Sequence, residues 1–425
     1  GESGDDTIFG GSHADLIEGG GGDDDIDGMR GSTTGWTTDD AGDTADDYGD
    51  EIYGNEGNDV IDGGDDVEYT NAANDVIYQS SIPVNPIVGD FIRGNAGDDT
   101  IDGEGGIDQL FGDGDDDTIY GGDDSDVIFG GAGDDTIFGE DGADTINIGV
   151  GSDVADGGED GDRFIVRFLG GKNSGVTTIT DEDVDTSDAS DQNDGEDIIE
   201  VFTTNGDDFV LLRASAATDN AFIALLNEAD AVERVNYDSA MESFVLNTLF
   251  GDDIVAFDDS KAVGTVNLGL GDDFIQIGQV FKSPRDAAAG VAPLDIPETL
   301  LTTRGYLTNG VSEDLTVNGG LGNDEFVVYH NAATLVLNGN DGDDLFLIKA
   351  FALAGSKDDN QSRMDLSGGG GADTIQYVVN APVFINGGDG FDRVIIIGTE
   401  FKDDFVITDE GVFGAGLNVN YINIE

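Results

Sequence analysis

The chain has 425 residues, with 92 acidic and 16 basic side chains and a formal charge of −76. That balance excludes duplex nucleic acid and anionic membrane surfaces as partners, since both need clustered Lys and Arg; the absence of Cys excludes disulfides and thiolate metal sites. No run of 18 apolar residues offers membrane insertion, yet a hydrophobic fraction of 38% is enough to bury a core, so a chain this acidic is expected to recruit cations as it folds.

Only three of the basic residues, Arg30, Arg93 and Arg163, lie before residue 166. This first stretch is repetitive. Its clearest unit is Gly130-Gly131-Ala132-Gly133-Asp134-Asp135-Thr136-Ile137-Phe138. The sixth-position Asp recurs every nine residues at Asp90, Asp99, Asp108, Asp117, Asp126, Asp135, Asp144, Asp153 and Asp162. An aliphatic or aromatic residue follows two places later, at Ile92, Ile101, Leu110, Ile119, Ile128, Ile137, Ile146 and Phe164, with Ala155 the small exception. Earlier fragments keep the phase locally: Asp6, Asp15 and Asp24, then Asp50 and Asp59, with Asp75 as a further candidate. Segments 28–48, 63–73 and 79–88 interrupt the array and read as loops at coil corners.

This nonapeptide resembles the calcium-binding repeats-in-toxin (RTX) family. The resemblance implies a right-handed parallel β-roll, in which six residues form a turn that holds Ca²⁺ and three form a strand. The Asp residues just named are then the metal ligands, with backbone carbonyls completing a hard-oxygen site. Two nonapeptides make one 18-residue coil, so Asp99 should stack on Asp117 and Asp108 on Asp126, about 4.8 Å apart. Gly at positions one, two and four allows positive φ and close backbone approach. Asp115, Asp124 and Asp160 replace the fourth Gly and tolerate left-handed geometry; His13 at the same position reads as a turn variant. A turn-only reading accounts for the Gly but not for an acid at every ninth place. Two carboxylates 5 Å apart repel by roughly 3 kcal/mol at an effective dielectric of 20.

Beyond residue 165 the period lengthens. Leu315–Val317 runs into Asn318-Gly319-Gly320-Leu321-Gly322-Asn323-Asp324, and Leu335–Leu337 into Asn338-Gly339-Asn340-Asp341-Gly342-Asp343-Asp344. Met364–Leu366 and Val383–Ile385 lead to Asp373 and Asp392 in the same way. Gly206-Asp207-Asp208-Phe209, Gly251-Asp252-Asp253-Ile254, Gly271-Asp272-Asp273-Phe274 and Asp403-Asp404-Phe405 are weaker copies. Spacings near 20 suit one coil with one turn-borne ion, giving Asp208, Asp253, Asp273, Asp324, Asp344, Asp373 and Asp392 as ligands; a plain Asp-rich β-turn is the alternative. This half resembles the repeat regions of very large secreted bacterial calcium-binding proteins. The expected division is a nonapeptide β-roll over 1–165 and a longer-period parallel β-helix-like solenoid over 166–425, all-β throughout. Segments 167–194, 278–312 and 349–363 read as loops. Ala-rich 214–233 is compatible with a helix, but Phe222–Leu226 and the alternation of Val232–Tyr237 favour two solenoid strands.

Catalytic signatures are missing. There is no H-E-x-x-H, G-x-S-x-G or phosphate-binding glycine motif, and the only histidines are His13 and His330. Asp162-Arg163 and Asp392-Arg393 fall at repeat positions six and seven, where a turn ligand and a surface cation explain them. Trp36 reads as a loop residue that could stack on sugar. The chain opens inside a repeat and closes on strand-like Leu417–Glu425, which suggests an ordered section of a longer protein. The expected role is a secreted, extracellular, calcium-loaded structural protein of a surface layer, fibre or matrix, and not an enzyme. Expected partners are Ca²⁺ and neighbouring repeats or further copies of the chain; an adhesin section recognising cell-surface glycan is the runner-up, and a polysaccharide-modifying enzyme the third reading.

Overall fold

The computed structural model describes residues 6–9, 16–21, 25–27, 51–56, 60–62, 89–171, 174–180, 195–227, 232–281, 295–302, 305–349, 364–377, 383–397, 406–414 and 417–424. These residues contain no α-helix. The chain forms two compact units, residues 1–166 with 175–198 and residues 167–174 with 199–425.

In the first unit the nine-residue period becomes two parallel sheets. One contains Thr100–Asp102, Thr118–Gly122, Thr136–Asp141 and Val154–Glu159; the other contains Phe91–Ala96, Gln109–Gly114, Val127–Ala132 and Thr145–Asn147. Successive strands on one sheet are a full coil apart, as in Thr100↔Thr118 and Thr118↔Thr136. Thr, Ile and Val favour the pleated conformation, and the Gly-Asp turns end each strand before it can lengthen. Alternation then sends one side chain per strand inward. Ile92, Leu110, Ile128, Ile146 and Phe164 form one inner column; Ile101, Ile119 and Ile137 form the other, all with no exposed surface. Each such burial contributes about 1.5–3 kcal/mol. Outside, Phe111 and Phe129 stack at 4.7 Å, and Tyr120 and Phe138 at 5.1 Å.

Segment 167–194 is not all loop: Gly175–Thr180 pairs in parallel with Val154–Glu159 and places Ile179 in the inner column. It carries no Gly-Asp turn, so the repeat did not mark it. The corner segments 28–48, 63–73 and 79–88, with Trp36 and His13, lie outside the described residues, as does nearly all of 349–363.

The second unit has the same two-sheet plan with a longer coil. Val263–Leu270, Leu315–Leu321, Leu335–Asp341, Met364–Gly371 and Val383–Gly390 pair in parallel on one sheet. Ile254–Phe257, Phe274–Ile277, Glu325–Val328, Leu345–Ile348, Thr374–Tyr377 and Arg393–Ile396 pair in parallel on the other. Phe326 and Phe346 stack at 4.6 Å in the interior. The Asn that precedes each glycine turn forms a ladder: the Asn267 amide donates to Asn247 Oδ1 (2.9 Å), Asn318 to Asn267 (2.8 Å) and Asn338 to Asn318 (2.8 Å).

Among the described residues, three places depart from the parallel plan. Ala221–Leu225 and Glu233–Tyr237 are strands, as the alternation indicates, but they pair antiparallel with each other, and Ala221–Leu225 also pairs antiparallel with Phe209–Ala214. The reversal is local chemistry: Ser215 Oγ accepts the backbone N–H of Ala217 (3.0 Å) and Thr218 (3.2 Å), closing a tight turn. Segment 278–312, read as loop, contains a small antiparallel sheet of Val280–Phe281, Gly305–Thr308 and Thr299–Thr302. Val406–Ile407, Gly411–Gly414 and Leu417–Ile422 form an antiparallel meander whose last strand joins Val383–Gly390 in parallel.

Candidate metal centre

Each Gly-Asp turn delivers one buried carboxylate between adjacent coils. Left-handed backbone is needed at positions two and four of the nonapeptide. Non-glycine residues supply it at Asn95 (φ 80°), Glu104 (59°), Asp113 (75°) and Glu140 (73°) for position two, and at Asp115 (78°), Asp124 (78°) and Asp160 (72°) for position four. The position-one glycines Gly112, Gly121, Gly130 and Gly139 do not adopt positive φ, which corrects the expectation for that position. Their requirement is space: a methyl on Gly121 would lie 2.5 Å from the Gly139 carbonyl oxygen and 2.8 Å from Asp126 Oδ2.

The sixth-position aspartates form continuous hydrogen-bonded files. In the first unit, the backbone N–H of Asp108 donates to Asp126 Oδ1 (2.7 Å), Asp126 to Asp144 (2.7 Å), and Asp144 to Asp162 (2.7 Å); Asp90 donates likewise to Asp108 (2.5 Å). A second file joins Asp99 to Asp117 (2.8 Å), Asp117 to Asp135 (3.0 Å) and Asp135 to Asp153 (3.1 Å). In the second unit one file runs from Asp208 to Asp253, Asp273, Asp324, Asp344, Asp373 and Asp392, each link 2.8–3.0 Å. None of these carboxylates is more than 2% exposed.

Oδ1 is thus committed to the backbone, and Oδ2 is left over. At Asp117, Asp126, Asp135, Asp144, Asp162, Asp253, Asp273, Asp324, Asp344 and Asp373 the buried Oδ2 accepts no hydrogen bond. A buried charged oxygen without a partner is expensive. Its cost shows in the carboxyl acidities. Burial first, and then the neighbouring aspartates, push Asp144 up to about 9 and Asp117 to about 8. Asp126, Asp162, Asp273 and Asp344 rise to about 7, with burial again the main cause. Asp135, Asp253, Asp324 and Asp373 rise to about 6.

The family model for the RTX calcium-binding nonapeptide repeat (4 copies) matches residues 1–34, 44–77, 89–119, 111–146 and 120–155. The matched segments, all within residues 1–155, are thus similar to RTX calcium-binding nonapeptide repeats. Among solved structures, the chain is similar to the solution structure of the AlgE6R3 subunit of the Azotobacter vinelandii mannuronan C5-epimerase, at 21% identity and a TM-score of 0.20, covering 30% of this chain and 72% of that one. No curated protein matches the chain.

The Gly-Asp turns fit a calcium ion on their own geometry. The orphaned Oδ2 supplies a hard anionic oxygen, and the carbonyl of the next coil faces the same glycine niche. Among the described residues, no three His, Cys, Asp or Glu side chains converge, so one carboxylate per turn must be supplemented by backbone carbonyls. The residues that would hold the ion are the file aspartates and the glycine-turn carbonyls. A bound divalent cation would supply the positive charge these carboxylates lack.

Three features were not read from the sequence. Asp197 prolongs the first file, accepting the Asp162 N–H at 2.8 Å; it lies 35 residues on and outside the nine-residue phase. Position-five residues form a second, exposed ladder, in which Asp116 Oδ1 accepts the Asp134 N–H (2.8 Å) and Asp252 Oδ1 accepts the Asp272 N–H (2.9 Å); the recurrent Asp-Asp doublets were its signal. Asp208 differs from its file: Thr204 N–H donates to Oδ2 at 2.9 Å and the Asn227 amide to Oδ1 at 2.5 Å. Asp6 is half-buried at the start of Thr7–Phe9, while Asp15, Asp24, Asp50, Asp59 and Asp75 lie outside the described residues. His330 is buried with Nδ1 on the Asn309 carbonyl (2.5 Å), and burial lowers its basicity.

Proposed function

We propose that this chain is a calcium-loaded section of a larger extracellular structural protein, such as a surface layer, fibre or matrix, in which Ca²⁺ drives folding and then rigidity. The observation that carries this reading is the orphaned Oδ2 repeated along the aspartate files. A fold that buries carboxylates one above another is stable only with counter-charge, so folding becomes conditional on the ion. Extracellular calcium modules bind at roughly 10⁻⁴–10⁻³ M, which would keep the chain unfolded in a low-calcium cytosol and fold it after export. The carboxylates are occupied in hydrogen-bonded files rather than gathered around a cleft, which supports a non-catalytic role. Far-ultraviolet circular dichroism of the chain at neutral pH, with calcium and with excess chelator, tests the proposal. The β signal should appear with calcium and collapse without it; an unchanged signal after complete calcium removal sinks the reading.

A further inference from the structure

We infer that calcium occupancy is decided turn by turn by the residue five places before the file aspartate, so that the turns of Asp153, Asp208, Asp253 and Asp273 hold no ion while those of Asp324, Asp344 and Asp373 do. This inference rests on the calcium reading above and narrows it. It also extends it past residue 155, where the match to the RTX family ends.

The register defines the deciding column. In the second unit Asn267 pairs with Asn318, Asn318 with Asn338, Asn338 with Ser367 and Ser367 with Asn386. The residues that follow are therefore in line: Leu268, Gly319, Gly339, Gly368 and Gly387. Asn247 pairs with Asn267, which puts Thr248 one coil earlier in the same column. At Gly319 a methyl would meet Asp324 Oδ2 and come 2.6 Å from the Gly339 carbonyl; at Gly339 and Gly368 it would meet Asp344 Oδ2 and Asp373 Oδ2 in the same way. The glycine thus keeps open a niche walled by a bare carboxylate oxygen and a carbonyl oxygen.

Thr248 and Leu268 stand where that niche would be, and both have no exposed surface. Thr248 Oγ1 donates to the Leu268 carbonyl at 2.5 Å. That hydrogen bond engages one carbonyl of the site, and Leu268 brings an apolar isobutyl group to the next turn. At Asp208 the corresponding residue is Thr203, whose hydroxyl donates to the Thr248 carbonyl at 3.0 Å, and the carboxylate is saturated by Thr204 and Asn227.

The first unit repeats the rule independently. Asp99, Asp108, Asp117, Asp126, Asp135, Asp144 and Asp162 are each preceded by glycine five places earlier. Asp153 is preceded by fully buried Ile148. Its Oδ2 is reached by the Thr177 hydroxyl at 3.5 Å and is not among the orphaned oxygens. At Asp153 an apolar side chain in the niche thus coincides with a carboxylate that finds a protein partner, whereas behind Leu268 the Asp273 Oδ2 finds none.

Anomalous diffraction from crystals of the full chain grown in calcium locates every ion without any substitution. Ions should appear at the turns of Asp117, Asp126, Asp135, Asp144, Asp162, Asp324, Asp344 and Asp373. An ion at Asp153, Asp208, Asp253 or Asp273 overturns the inference, as does its absence from Asp324, Asp344 and Asp373 with the first unit loaded. No ion anywhere would instead overturn the calcium reading itself. In solution, equilibrium dialysis of Asp273→Asn should leave the bound-calcium count unchanged, whereas Asp344→Asn should lower it by one; equal losses refute the rule.

Discussion

Replacing Asp144 by Asn separates a calcium ligand from a mere hydrogen-bonding bracket, because the two roles predict opposite signs without the ion. Asp144 lies between Asp126 and Asp162 in its file. At about 5 Å per neighbour and an effective dielectric of 20, each like-charged pair costs roughly 3 kcal/mol, so two neighbours cost up to about 6 kcal/mol. Linkage gives a second route. With its carboxyl raised by burial to about 9 and about 3.9 when unfolded, the side chain must take up a proton to fold at pH 7, at a cost on the order of 4 kcal/mol. Asn removes that charge at nearly constant shape and keeps an oxygen for the Asp126 N–H. Its buried amide costs about 1–3 kcal/mol if poorly paired. In excess chelator the variant should therefore be more stable than the parent by about 1–3 kcal/mol. In saturating calcium it should be less stable, having lost a ligand. Circular dichroism of the full chain reads both signs: in excess chelator the variant should recover β signal at a lower concentration of a stabilising osmolyte than the parent, and in saturating calcium it should unfold at a lower urea concentration. Destabilisation in chelator as well as in calcium would refute the reasoning, since it would make Oδ1 the only oxygen that matters.

The file carboxyls lie at about 6 (Asp135) to about 9 (Asp144) in the folded chain, raised chiefly by burial. The folded state therefore holds more protons than the unfolded one. Its stability is full below the unfolded value of about 3.9 and falls as pH rises through about 6 to 9. Acidifying the chelated chain from pH 9 to pH 5 should restore β signal in circular dichroism; a loss of signal over that window would contradict the assignment. In the second unit Arg213 and Asp258 form a buried ion pair, with Nε to Oδ2 at 2.7 Å and side chains 2% and 0% exposed. Arg213→Ala should cost about 3–5 kcal/mol by stripping that carboxylate of its cation, seen as a lower urea midpoint even in saturating calcium. Ile128→Ala opens the inner column of the first unit and should cost about 2–5 kcal/mol, measured in the same assay.

The nonapeptide files were legible because the period of the sequence is the period of the coil. An Asp every nine residues must alternate between two sides of an 18-residue turn, and the Ile two places later must point inward. What escaped the sequence lies where period and geometry part. Asp197 takes the place above Asp162 only after a 35-residue detour, so no spacing rule reaches it. Gly175–Thr180 joins the first unit through β-branched residues with no turn signature. Ala221–Leu225 and Glu233–Tyr237 show strand alternation, but alternation is blind to direction, and the Ser215 turn makes them antiparallel. Thr248 and Leu268 look like ordinary strand residues until the register sets them in the glycine column.

The division of labour within one carboxylate explains why this fold should depend on its ion. Oδ1 gains a charge-assisted hydrogen bond from the preceding coil, worth about 1.5–3 kcal/mol. The same stacking sets each charge against its neighbours at roughly 3 kcal/mol per contact. Bracketing alone therefore does not outweigh repulsion, and the buried Oδ2 adds a further penalty at every step. Protonation offsets that penalty only by spending the folding free energy that linkage demands. A cation bound at Oδ2 removes both costs at once without disturbing Oδ1. At two of the closed niches the chain has used another remedy: Thr204 and Asn227 satisfy Asp208, and Thr177 reaches Asp153. Asp273 has neither an open niche nor a partner for Oδ2, so its carboxyl, raised by burial to about 7, should remain proton-coupled when the glycine-niche turns of Asp324, Asp344 and Asp373 are loaded. Following the Asp273 carboxyl by ¹³C resonance in saturating calcium tests this: it should titrate near neutrality, while Asp344 in the next-but-one coil stays ionised down to acid pH. Identical titration of the two would mean that the glycine column makes no distinction between them.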